Sequence, residues 1–154
     1  MTQQSQGLRS FVLAMALMLA SISSALAAKP EVFTPRFSSL AVSGYDPVAY
    51  FEEGAPVKGS KAFSFDYKGA TWRFSTQANL EAFKANPDAY APQYGGYCAW
   101  AASQGYTASA NPKNWTVHNG KLYLNYNDKV QEDWLVDPDG FIELANKNWP
   151  SILD

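Results

Sequence analysis

The chain reads as an α+β protein: a small antiparallel sheet built from two β-hairpins, each followed by helices, with a long Gly/Pro-rich loop. Three observations predict this. Two alternating apolar–polar runs reverse across two-residue turns, apolar residues recur at helical spacing after each, and Gly and Pro gather in residues 90–112.

In the first hairpin Phe63-Ser64-Phe65-Asp66-Tyr67 turns at Lys68-Gly69 into Ala70-Thr71-Trp72-Arg73-Phe74. Pairing across that turn sets Phe65 against Trp72 and Phe63 against Phe74, leaving Ser64, Asp66, Thr71 and Arg73 on the polar face. The helix that follows takes its cap from Ser75 or Thr76, buries Leu80 and Phe83, and stops at Asn86-Pro87 because proline disfavours helix in the residue before it. In the second hairpin Asn119-Gly120, a strong two-residue turn signal, sets Val117 against Leu122 and Trp115 against Leu124. A helix from Asp128 through Trp134 follows. Asp137 caps a last helix with Pro138 in its first turn and Phe141 or Ile142, Ala145 and Trp149 as its apolar stripe.

The first 27 residues have the form of an export signal. A polar start with the single Arg9 leads into an apolar core at residues 11–20, and Ala25-Leu26-Ala27 offers the small side chains that signal peptidase accepts. The expected cut lies between Ala27 and Ala28, which puts the mature protein in the periplasm or outside the cell. The apolar core is too short for the ~20 residues that span a bilayer, and no later run is long enough, so no integral membrane segment is expected after cleavage. Residues 28–43 read as an extended arm and residues 44–154 as one domain, with a core at 44–90 and an extension at 91–154.

Composition bounds the rest. The 12 Lys and Arg against 14 Asp and Glu give a net charge of −2, which becomes −3 when Arg9 leaves with the signal, and the lysines are scattered among acids. That balance excludes a nucleic-acid surface. One cysteine, Cys98, cannot close an internal disulfide, so stability must come from packing, and 5 Trp, 9 Tyr and 9 Phe supply the area for it.

Three motifs then resemble a known family: Gly44-Tyr45-Asp46-Pro47-Val48-Ala49-Tyr50, Tyr67-Lys68-Gly69-Ala70-Thr71-Trp72-Arg73-Phe74-Ser75, and Phe83-Lys84-Ala85-Asn86-Pro87-Asp88-Ala89-Tyr90 are similar to the YHS domain over residues 44–90. The extension, with Tyr94-Gly95-Gly96-Tyr97-Cys98-Ala99, resembles that of exported single-domain members. The resemblance implies a companion of copper and heavy-metal transport and a small metal-binding fold. Metal-type members, however, carry cysteine directly after Asp-Pro-Val and twice more at the start of the helix, where this chain has Ala49, Ser75 and Asn79. Those side chains make no thiolate cage for copper or zinc.

Cys98 and His118 are therefore the candidate metal ligands, with copper or zinc as the ion such a pair would take. The bland readings are a packed thiol for Cys98 and, since Trp115 and Val117 face the core, an exposed turn histidine for His118. Tyr45, Asp46, Tyr50, Tyr94 and Tyr97 are the candidate ligand contacts, against the alternatives of a turn-fixing carboxylate and core rings. The function expected is a non-catalytic binding or accessory module linked to metal handling, with a metal ion or a protein as partner. A metal-free scaffold is the alternative, and a Cys98-dependent enzyme ranks last because no base or oxyanion motif accompanies the thiol.

Overall fold

Two tight turns organise the strands. Lys68 and Gly69 have φ of 50° and 75°, and Asn119 and Gly120 have 49° and 75°, the paired left-handed residues whose twist matches two antiparallel strands. The first turn joins β1 (Ser60–Tyr67) to β2 (Ala70–Phe74), and the second joins β3 (Asn111–His118) to β4 (Lys121–Asn125). This computed structural model describes residues 27–154, so the predicted signal segment, apart from Ala27, lies outside the described residues.

The expected pairs Phe65 with Trp72, Val117 with Leu122 and Trp115 with Leu124 are present. Phe74 instead lies opposite Ser60, because the register slips between Ser60 and Ser64. The Ser64 hydroxyl donates to the Lys61 carbonyl at 2.8 Å and Ser60 Oγ accepts from the Ala62 amide at 3.2 Å, local bonds that compete with the ladder.

The hairpins form two separate two-stranded sheets rather than the single sheet expected. The outer edge of β2 is taken by the arm: Leu40 bridges Thr71 in parallel, with the Thr71 amide donating to the Ser39 carbonyl at 2.7 Å. The hairpins meet through side chains instead, Trp72 and Phe74 sharing a core with Leu122, Leu124 and Phe83.

Helices close this core and build a second. α1 (Ala49–Glu52) precedes the first hairpin; α2 (Gln77–Ala85) and α3 (Pro87–Tyr90) follow it, with Thr76 Oγ1 capping α2 through the Asn79 amide. α2 buries Leu80 and Phe83 as its spacing predicts. α5 (Asp128–Leu135) is capped by Asn127 and α6 (Pro138–Asn148) by Asp137. Trp134 and Ala145 from these two helices pack with Tyr94, Ala99, Ala102 and Tyr123 in the second core. Strand β4 lies between the cores: Leu122 and Leu124 enter one, Tyr123 the other.

Residues 90–112 are only in part the irregular loop expected, which remains over residues 104–110. The stretch before it holds a 3-10 turn, Gln93–Gly96, and a helix, α4 (Ala99–Ser103). Alanine is the best helix former, and the small face of Ala99 and Ala102 lets α4 lie against α6. Asn148 of α6 donates to the Ala102 and Ser103 carbonyls at 2.9 and 3.2 Å, satisfying groups a helix end leaves orphaned.

The arm is anchored along its length. The Lys29 amide donates to the Leu153 carbonyl at 2.7 Å, the Phe33 amide to the Gly95 carbonyl at 2.9 Å, and Val32 is buried. Gly95 has φ 62°, and a Cβ there would stand 1.7 Å from the Glu31 carbonyl oxygen. Among the described residues no helix is long and apolar enough to cross a membrane.

Gly95→Ala should therefore cost roughly 2 kcal/mol or more, from backbone overlap added to left-handed strain. Gly120→Ala, whose Cβ meets nothing within 4 Å, should cost only about 1 kcal/mol. Urea unfolding of the two variants checks this, and equal losses would refute the arm–Gly95 contact as an anchor.

Candidate functional site

Asp46 is fully buried and accepts five hydrogen bonds. Its Oδ1 takes the amides of Val48 at 2.9 Å and Ala49 at 3.3 Å, fixing the turn into α1 as an aspartate before proline is placed to do. Its Oδ2 takes the Ser75 amide, the Ser75 hydroxyl and the Asn79 side-chain amide, each at 2.8 Å. Ala49, Ser75 and Asn79 thus surround one carboxylate and direct their donors at it. A carboxylate satisfied in this way is stable without a cation. These residues do not fit a soft-metal cage, since their polar groups are oriented toward Asp46 and none is a thiolate.

The five proposed ligand contacts divide into two places. Tyr50 is core: its hydroxyl donates to the Pro112 carbonyl at 2.6 Å, its ring packs on Trp115, and burial raises its phenol pKa. Tyr45 packs half-buried against the same core. Tyr94 and Tyr97 lie at the junction of arm and extension. The Tyr94 hydroxyl donates to Asn146 Oδ1 at 3.0 Å, and that of Tyr97 to the Pro30 carbonyl at 2.9 Å. Burial raises both phenols.

The two proposed metal ligands have separate surroundings. Cys98 is 1% exposed; its thiol donates to Asn125 Oδ1 at 3.5 Å, and burial raises its pKa against the opposing pull of nearby backbone hydrogen bonds. It floors an apolar hollow of about 200 Å³ rimmed by Tyr106 and Tyr126. His118 is half-buried rather than exposed, because α5 and α6 cover that face of β3. Its Nε2 lies 2.7 Å from Asp139 Oδ1 and its ring stands edge-on to Trp134. Among the described residues no three His, Cys, Asp or Glu side chains are grouped to hold a metal ion.

A cleft of about 410 Å³ escaped the sequence reading apart from Tyr94. Glu31 of the arm, Lys68 of the first turn, Asp88 of α3 and Lys121 at the start of β4 line it together with Tyr94 and Trp149. Those residues come from five stretches separated in sequence, Asp88 and Tyr94 sharing one, and no local motif links them.

Compared with known protein families, residues 48–94 match the family model described as YHS domain. The match covers α1, the first hairpin, α2, α3 and the turn to Tyr94. No curated protein and no solved structure matches the chain.

Asp46→Asn either turns an amide donor toward three donors or takes the acceptor from two backbone amides, and should cost about 3 kcal/mol in urea unfolding. Asn79→Ala removes one donor of five and should cost about 1 kcal/mol; equal losses would contradict the convergent arrangement. A raised folded pKa means stability present below the unfolded value and lost above it. Burial of Cys98, Tyr50 and Tyr94 should therefore leave stability flat up to about pH 8.5 and make it fall beyond. Iodoacetamide should label Cys98 slowly in the native protein and fast in urea, and rapid native labelling would refute its burial.

Proposed function

This chain carries a YHS domain, and on that premise we propose that it is an exported, non-catalytic binding or accessory module whose fold no longer uses metal. The observation that carries the proposal is the Asp46 carboxylate, saturated by donors from the places where metal-type members hold sulfur. Hydrogen bonds there join the turn before α1 to the end of β2 and the first turn of α2. Export is supported by the leader at residues 1–27 and by the arm, whose first anchor, Lys29, lies just past the expected cut between Ala27 and Ala28. An enzyme is disfavoured because the Cys98 thiol is buried, held up in pKa and paired with an amide rather than a base.

A protein-interaction domain is the second reading. It has one observation in its favour, the apolar side chains of Leu135, Val136 and Leu144 left exposed at 48%, 82% and 46%.

Thermal unfolding with copper(I) or zinc separates the metal-free module from a metal carrier. A saturating ligand of the native state adds about 2.7 kcal/mol at a hundred times its Kd, which raises Tm by on the order of 10 °C. The expected result is no rise. A rise that Cys98→Ser abolishes would overturn the proposal and restore Cys98 as a ligand.

A further inference from the structure

The geometry points to the 410 Å³ cleft as a binding site for a small zwitterion of amino-acid type with an aromatic or large apolar side, its anionic group at Lys121 and its cationic group at Asp88. This deepens the binding-module reading and rests on it.

The charges at the cleft are not equivalent. Lys68 and Glu31 satisfy each other at 2.7 Å. The Lys121 side chain has no hydrogen-bond or ionic partner among the described residues. Asp88 takes only a long side-chain contact, from the Tyr67 hydroxyl at 3.4 Å, and acts on Lys68 at a distance. One free cation and one under-used anion therefore line the same hollow, with the compensated pair beside them. A ligand carrying a single charge satisfies one of them and leaves the other; a zwitterion answers both. Between the charges Trp149 presents a half-exposed ring, which meets Tyr94 edge to face at 6.0 Å, with Val32, Pro92 and Trp72 buried behind the surface. Rings flanked by a few convergent charges, in a volume near the lower end of the ~300–1,000 Å³ range, are the makeup of a small-molecule site.

The site is also preorganised. Tyr94 holds φ at 58°, a left-handed conformation costly for a tyrosine, and it is kept there by its hydroxyl bond to Asn146 and by the Phe33–Gly95 backbone bond. Local strain of about 1–3 kcal/mol persists where the surroundings over-determine it, and such positions cluster at ligand sites. Because the arm supplies Glu31 and Val32, the cleft exists only with the arm docked.

The test is a titration of the protein produced from the full chain, followed by calorimetry and by the fluorescence of Trp72 and Trp149. L-Phenylalanine is the zwitterionic probe, phenylpropionate the anion alone and phenethylamine the cation alone. L-Phenylalanine should saturate, with each single-charge probe at least about tenfold weaker. Lys121→Met should weaken L-phenylalanine about tenfold and leave phenethylamine unchanged; Asp88→Asn should do the same while sparing phenylpropionate. Both residues are exposed, so the variants should keep the parent Tm. No saturable signal at millimolar L-phenylalanine, equal binding of the single-charge probes, or undiminished binding by both variants would overturn the assignment. A metal-induced rise in Tm would overturn the metal-free reading while leaving this titration as it stands, so the two failures are distinguishable.

Discussion

A carboxylate moved out of water loses several kcal/mol of hydration unless its oxygens are filled by donors already in place. Asp46 meets that condition with five, drawn from the turn it belongs to, from Ser75 at the end of β2 and from Asn79 in the first turn of α2. The whole first hairpin lies between these donors in sequence. Its position over α2 and α1 is therefore set by one buried anion, and the ring cluster of Trp72, Phe74 and Phe83 packs around that constraint.

The extension is attached by a different device. Strand β4 presents Leu122 and Leu124 to the first core and Tyr123 to the second, so a two-stranded sheet that would be marginal alone is covered on both faces. The arm then crosses from the edge of β2 to the C-terminal residues, with Gly95 admitting its backbone at a distance no side chain would allow. Core, arm and extension depend on one another, and the cleft forms where the three meet. The lone thiol takes no part in that meeting: it faces Asn125 behind α4, away from the charges.

Much of the local structure was legible. Lys68-Gly69 and Asn119-Gly120 specify their turns because both central residues must be left-handed, and Thr76 and Asp137 sit where a helix start needs an oxygen. The slip that moves Phe74 from Phe63 to Ser60 was not legible, since side-chain hydroxyls decided it against the alternation of rings. Nor was α4, which glycine and proline on either side disguised as loop. His118 was placed by strand alternation on an outer face that α5 and α6 in fact cover.

For the candidate site the division is sharper. The sequence by itself determined that Asp46, placed before Pro47, fixes a turn, that Ala49, Ser75 and Asn79 carry no sulfur, and that Cys98 stands alone. Those are statements about residue identity and nearest neighbours along the chain. Only the tertiary structure decided that Ser75 and Asn79 aim at Asp46 across about thirty residues, and that Lys121 and Asp88 share a hollow with Trp149. Hydrogen-bond directions and shared cavities depend on how separate segments pack, and packing is set by the summed burial of rings from the whole chain, which no local pattern encodes.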